Sequence, residues 1–296
     1  SNVGVGNSAL RANTTGGYNV AVGYEALDAN TTASHNAAVG QSALGANTTG
    51  ENNTALGSSA LRNNTTASNN TAVGKNALLA NTTGTMNVAV GAYAFDANQG
   101  GSANTCIGYN AGTSFTSDGL TAIGKDALEL CTTGSNTAVG SNALASVTTA
   151  SQNTAVGLDA LTANTGADNT ALGSQALLAN TTASYNTAVG RLALGANTTG
   201  QYNVAFGAYA LDGNTTASYN TAIGTYALGD QTTGASNTAL GFKALKYNTT
   251  ADNNVAVGYE ALHVNTTGAT NTAVGYQALD ANSTGGNNNS FGAYSL

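Results

Sequence analysis

The sequence predicts an all-β repeat protein, a β-solenoid or β-roll of about 18 coils with a 17-residue period, filling residues 1–296 as a single repeat domain. Three observations predict it. A phrase of the form Asn-Thr-Ala-Val-Gly recurs from end to end, with fourteen of the seventeen spacings between its glycines at 17 residues and three at 16. Seventeen residues are too few for a helical repeat, which needs about 33. Proline is absent, as expected where strands stacked on both sides use every backbone N–H.

The composition excludes two classes of partner. Fourteen acidic and 7 basic residues give a net charge of −7. That balance leaves no basic surface for a phosphate backbone, so we expect no nucleic-acid partner. No apolar run approaches the roughly 18 residues of a membrane-spanning helix, so we expect no membrane insertion.

The recurring phrase predicts one short strand per coil, because it is rich in β-branched residues and ends in glycine. Asparagine stands four residues before that glycine in 17 of 18 copies. We expect these strand asparagines to form a ladder along the stack. They include Asn19, Asn36, Asn53, Asn153, Asn186 and Asn220. The anchor glycines that close the phrase include Gly23, Gly40, Gly157, Gly190 and Gly224.

Strand side chains alternate between two faces. The apolar residue directly before the anchor glycine therefore points to one face, and the alanine two residues before the glycine points to the other. The larger apolar residues are expected to form the core with the leucine four residues after the anchor. These are Val22, Leu27, Val156, Leu161, Val189 and Leu194. The alanine face stays small throughout, although a solvated position would vary. It is therefore predicted to be an oligomer interface, at Ala155, Ala188 and Ala222 among others.

The second half of each coil allows two interpretations. Ala-Leu up to the following Asn-Thr-Thr is either a second strand or a tight helical turn, since both residues favour helix. Asn-Thr-Thr and the residues after it read as corners. Residues 96–131 are irregular: Gly112 replaces a leucine, Leu120 replaces a strand asparagine and Phe115 replaces a corner asparagine. A kink or local repacking is expected there.

The phrases Asn-Val-Ala-Val-Gly at Asn19–Gly23 and Asn-Thr-Ala-Ile-Gly at Asn220–Gly224 resemble the head repeats of trimeric autotransporter adhesins. Similar repeats occur in phage tail-fibre proteins. The resemblance implies a left-handed parallel β-roll, three chains around a shared axis with small residues facing that axis, and a location outside the cell, on a cell surface or on a virion. The adhesin unit is shorter, and its usual motif lacks the Ala-Leu-x-x-Asn-Thr-Thr segment.

Few side chains in the sequence are suited to catalysis or metal binding. His35 and His263 stand at unrelated positions of the repeat, and Cys106 and Cys131 at different corners. No paired-cysteine spacing for a metal and no Gly-Gly-x-Gly-x-Asp calcium phrase is present. We therefore expect no catalytic residue, no cofactor, no metal and no enzymatic activity.

The expected function is structural: an extracellular fibre or adhesin-type solenoid serving as a stiff spacer or surface-attachment module. The expected partners are further copies of the chain and a cell-surface or carbohydrate receptor. The chain is read as a segment of a longer fibre or, alternatively, as the subunit of a filament that polymerises end to end. A further alternative is binding of ice through the Thr-Thr pairs, or of carbohydrate through a column formed by Tyr185, Tyr202 and Tyr219.

Overall fold

The computed structural model describes residues 1–296 as two compact units, Ser1–Thr149 and Ala150–Leu296. Both are all-β, with one three-residue parallel strand per coil and no helix. The predicted β-solenoid with a 17-residue period is confirmed. No segment forms a helix with the length and apolarity that crossing a bilayer requires.

The first unit stacks nine strands in register, so that equal positions of the repeat lie side by side. Val20 lies opposite Ala37, and Ala37 opposite Thr54. The strands are β1 Val3–Val5, β2 Val20–Val22, β3 Ala37–Val39, β4 Thr54–Leu56, β5 Thr71–Val73, β6 Val88–Val90, β7 Thr105–Ile107, β8 Thr121–Ile123 and β9 Thr137–Val139.

The second unit repeats this arrangement with nine more strands. Thr187 lies opposite Val204, and Val204 opposite Thr221. The strands are β10 Thr154–Val156, β11 Thr170–Leu172, β12 Thr187–Val189, β13 Val204–Phe206, β14 Thr221–Ile223, β15 Thr238–Leu240, β16 Val255–Val257, β17 Thr272–Val274 and β18 Asn289–Phe291.

In 15 of the 18 coils the middle residue of the strand is an alanine buried in the interior, and the larger strand residues point outward. The expected valine core is therefore wrong: Val156 is 37% exposed, and Val22 and Val189 are half-buried. The alanines assigned to an oligomer interface are fully buried inside their own coils, at Ala155, Ala188 and Ala222. The leucines of the second segment lie in the interior, at Leu27, Leu161 and Leu194.

The reason for this inversion is the narrowness of the coil. The inner face of the strand packs directly against the Ala-Leu segment, and close-packed interiors leave no room for an extra methyl group. Leucine fills most of the interior, so only alanine fits opposite it. The alternation of strand residues between two faces is confirmed, but the alanine face points inward and the valine face outward, the reverse of the expectation.

The Ala-Leu segment is neither a second strand nor a helical turn, but a run of tight turns. Ala26 N–H donates to Gly23 O at 3.4 Å, and Asn30 N–H to Leu27 O at 3.2 Å. Leu27 adopts a left-handed φ of 49°. In that conformation its own N–H donates to Ala43 O of the next coil, at 3.0 Å. The left-handed backbone costs on the order of 1–2 kcal/mol, which full burial of the leucine side chain offsets.

The anchor glycines are required by both conformation and contact. Gly23 has a φ of 137°, which L side chains rarely adopt, and a Cβ there would come 2.5 Å from Gly40 O in the next coil. The other anchor glycines named above have the same geometry, with φ of 136° at Gly40, 142° at Gly157 and 131° at Gly190 and Gly224.

The irregular segment is repacked locally while its strands keep their register. Thr105 lies opposite Thr121, and Thr121 opposite Thr137. Cys106 Sγ and Leu120 Cδ2 fill the space of the missing leucine, since a Cβ on Gly112 would lie 2.7 Å and 2.9 Å from them. Phe115 packs on Phe95 with a centroid distance of 6.3 Å.

Candidate functional site

The outward strand face is the candidate functional surface of each unit. Its central feature is the outer rank, the residues that directly precede the anchor glycines, all of which are Val, Ile, Leu or Phe. Leu56 is 47% exposed, Phe206 56% and Leu240 44%. Beside it runs a second outward rank two residues earlier, mostly threonine and valine. With nine strands at about 4.8 Å, the face is roughly 38 Å long and about 10 Å wide in each unit.

No charged residue lies in any strand. All seven basic residues stand one, two or five positions after an anchor glycine, in the turn segment. The ion pairs lie there too: Arg11–Asp28, Lys125–Asp126 and Lys243–Glu260. Each unit therefore presents an uncharged face of roughly 400 Å², of which the outer rank is the apolar part; extended exposed apolar surface often marks an interaction site.

The strand asparagines are interior and hold neighbouring coils together. Asn36 N–H donates to Asn19 Oδ1 at 2.9 Å, and Asn36 Nδ2 donates to Gly50 O at 2.9 Å. The second unit repeats this, with Asn220 N–H donating to Asn203 Oδ1 at 3.0 Å. All six strand asparagines named from the sequence are buried: Asn19, Asn36, Asn53, Asn153, Asn186 and Asn220. Their role is to satisfy buried backbone groups.

A second asparagine ladder runs through the Asn-Thr-Thr corners of the coils. The corner asparagine, seven residues after the anchor, is also buried: Asn47 Nδ2 donates to Asn30 Oδ1 at 3.2 Å and to Gly50 O at 3.0 Å. The available signal was the set of residues that replace it. Phe115, Cys131 and Val147 stand there in three successive coils, and all are fully buried; a solvated corner would not favour them.

The two threonines of each Thr-Thr pair differ in their hydrogen bonding, although both are at least partly exposed. The first threonine bonds to the next coil, as Thr48 Oγ1 donates to Thr65 O at 3.0 Å. The second threonine of each pair, such as Thr49, is exposed, and its hydroxyl makes no comparable bond to the next coil. Because one hydroxyl of each pair is used within the stack, only the second threonine has its hydroxyl free of a bond to the next coil; the ice-binding alternative stays a prediction.

The predicted tyrosine column is confirmed. Tyr185 and Tyr202 stack with centroids 5.0 Å apart at 2°, and Tyr202 and Tyr219 at 5.2 Å and 3°. They are 46–62% exposed. Because each ring covers its neighbour's face, the column presents mainly ring edges to solvent. A sugar that packs on an aromatic ring uses the ring face, so this geometry disfavours the carbohydrate alternative.

The titratable side chains do not converge. His35 is exposed and stacks on Tyr18 at 5.0 Å, whereas His263 is half-buried and burial lowers its pKa. Both cysteines are free and buried, and burial raises the pKa of Cys131 to about 11. No three His, Cys, Asp or Glu side chains within residues 1–296 are grouped as ligands of a metal ion would be.

The surfaces of the molecule thus divide into an uncharged strand face and a charged turn side. No family model and no curated protein matches the chain. Its functional interpretation therefore rests on the fold and on these two surfaces.

Proposed function

We propose that the chain is a structural, non-catalytic solenoid that associates with further copies of itself through the outward strand face. In this role it serves as a stiff spacer or surface-attachment module of an extracellular fibre of adhesin type. The observation that carries the proposal is the outer rank, which is apolar in every coil and half-exposed in most. An apolar rank repeated at every strand is a feature of interfaces rather than of solvated sheets.

A second copy is the partner that this face suits best. Two such faces carry the same apolar ranks at the same strand spacing, so they are complementary along their whole length. Neither carries a charge that would have to be desolvated. A stable interface buries about 800 Å² per partner, and the outward face of one unit supplies roughly half of that. In the second unit the tyrosine column lies two residues before the threonine rank and extends the apolar surface sideways.

The resemblance to adhesin head repeats favours three copies. It also supports a location on a cell surface or a virion. The interior contributes rigidity, because two asparagine ladders tie each coil to the next through buried hydrogen bonds. The assembly face proposed here is the outer rank, in place of the alanines.

The test is the mass of the full chain in solution, measured by light scattering. The wild type is expected at a multiple of 29.0 kDa. The triple variant Val39→Glu, Leu56→Glu, Val73→Glu places three charges on adjacent strands and should give 29.0 kDa.

Leu130→Glu controls for a single added charge outside the strand face and is compared with Leu56→Glu alone. Leu130 lies in the turn segment of the same unit and is 49% exposed, compared with 47% for Leu56. This variant should keep the wild-type mass. A wild type that is monomeric at 29.0 kDa, or a triple variant that keeps the wild-type mass, contradicts the proposal. Continuous fibres in electron micrographs would identify the end-to-end filament instead.

A further inference from the structure

A gap opens on the charged turn side of the first unit, well separated in the repeat from the strand face. It is a cavity of about 260 Å³ centred on Gly45, and we refer to it as the Gly45 notch. Its lining consists of Glu25, Asp28, Ser42, Gly45, Ala46, Arg62 and Asn63.

The notch exists because three successive coils carry an acid, a glycine and a base at one position. Asp28, Gly45 and Arg62 each stand five residues after an anchor glycine. The backbone stacks them: Ala29 N–H donates to Gly45 O at 3.1 Å, and Ala46 N–H to Arg62 O at 3.0 Å. A Cβ on Gly45 would have only backbone atoms as its nearest neighbours, the closest being Ser42 O at 3.3 Å. No side-chain atom is therefore among the three atoms nearest to that position.

Two groups of opposite charge line the notch without an ion-pair partner. Asp28 is engaged, since Arg11 Nε lies 2.9 Å from its Oδ1 and Arg11 Nη2 donates to its Oδ2 at 2.9 Å. Glu25 accepts only from neutral groups: Ser42 Oγ at 3.4 Å and the Tyr24 hydroxyl, whose pKa the hydrogen bond raises. Arg62 takes part in none of the three ion pairs of the structure.

The same position of the repeat in three coils of the second unit shows that an acid, a glycine and a base need not leave a gap. Asp212, Gly229 and Lys246 repeat the pattern in the second unit. There Asp212 Oδ1 and Lys246 Cγ lean over the glycine, 3.5 Å and 3.7 Å from where its Cβ would be. The Gly45 notch has the same charges at its sides but remains open.

The spacing of the coils sets the size of a ligand that would fit. Glu25 and Arg62 belong to coils two apart, which are separated by roughly 10 Å at about 4.8 Å per coil. Charge-assisted hydrogen bonds at each end take about 2.8 Å. A ligand that bridges these two side chains within a cavity of about 260 Å³ is small and carries its opposite charges close together, as a short amino acid does.

We propose that the Gly45 notch binds a small amino-acid zwitterion. Arg62 and the Asn63 amide hold the carboxylate, Glu25 holds the ammonium group, and Gly45 and Ala46 form the uncharged floor. Arginine suits this role because its guanidinium fork matches the two oxygens of a carboxylate. The site is independent of self-association, since the strand face contributes no residue to it.

The experiment is a titration of the full chain by calorimetry and by amide chemical shifts. The ligands are glycine, β-alanine, 4-aminobutyrate and 6-aminohexanoate, with acetate and methylammonium as singly charged references. We expect saturable binding that is strongest for glycine or β-alanine and at least tenfold tighter than for either reference. Arg62→Gln and Glu25→Gln should each weaken it at least tenfold.

Gly45→Leu should abolish binding by filling the notch. This variant is compatible with the fold, because Leu79 occupies the corresponding position two coils further on. Gly195→Leu makes the same change at that position in the second unit and should leave binding unchanged. The proposal is overturned if no ligand of the series saturates, if acetate binds as tightly as glycine, or if binding survives in Arg62→Gln or in a folded Gly45→Leu variant.

Discussion

Substituting glutamate at two adjacent residues of β14 tests directly which strand face is interior. Ala222 is fully buried, whereas Ile223 is 39% exposed. In Ala222→Glu the new carboxylate enters a closed interior without a partner, and removing a charge from water in this way costs several kcal/mol. Both substitutions are made in the dissociated Val39→Glu, Leu56→Glu, Val73→Glu variant, because Ile223 lies on the proposed assembly face. In that background the carboxylate of Ile223→Glu stays hydrated, and exposed substitutions usually change stability by about 0.5 kcal/mol or less.

The expected result is that Ala222→Glu loses several kcal/mol of unfolding free energy and Ile223→Glu loses little. The assay is urea unfolding followed by circular dichroism. Amide hydrogen exchange supplements it, because repeat proteins can open locally. Exchange should rise in the coils next to β14 in Ala222→Glu alone.

Ala222→Cys is the matched control for burial without charge. Cys106 occupies the same position of the repeat, but in a coil where Gly112 replaces the leucine. Leu228 is present and buried in the coil of Ala222, so overpacking in this variant should cost about 1–3 kcal/mol, less than the buried charge of Ala222→Glu. If Ile223→Glu destabilises the chain as much as Ala222→Glu, the assignment of the two faces is refuted.

Three further outcomes are expected. Gln231 interrupts the corner ladder and leaves Asn214 Oδ1 without a partner, so Gln231→Asn should raise the free energy of unfolding by about 0.5–1.5 kcal/mol; an unchanged or lower value counts against the ladder. Burial, and then the charge of Asp230, raises the pKa of Asp212 from 3.8 to about 6. The folded state therefore binds more protons than the unfolded state between these values, and the contribution of Asp212 to stability, complete below about pH 4, should be lost as pH rises through 6. Melting temperatures between pH 4 and 7 should show this fall in the wild type and a flatter profile in Asp212→Asn; equal profiles would contradict it. Cys131, whose pKa burial raises to about 11, should react with a disulfide reagent only after unfolding, and rapid labelling of the folded chain would contradict its burial.

The sequence was sufficient for the period, for the position of each strand and for the glycine at its end. These follow from local rules: a short β-branched phrase forms a strand, and a repeated glycine marks a backbone that other residues cannot adopt. The interior position of Leu161 and the ladder through Asn153 also depend on the repeat alone, because stacked coils place equal residues side by side.

Which face of the strand points into the coil could not be predicted from the same local rules. Valine is more hydrophobic than alanine, so hydrophobicity favoured Val156 as the core residue. The size of the inward strand residue is limited by the width that Leu161 leaves on the opposite side of the coil. That width depends on the left-handed backbone of Leu161, which has a φ of 52°. Leucine favours right-handed helix, so no local preference indicates this conformation. Bonding to the neighbouring coil determines it.

The three 16-residue coils all lose their residue in the same corner, between the corner asparagine position and the next strand asparagine. Even so, Thr154 lies opposite Thr170 as it would in a full coil. The register of the strands is therefore set by the pairing of equivalent residues in neighbouring coils, not by the number of residues in each coil. The loss of one residue at that corner is therefore absorbed locally and shifts no strand of the stack.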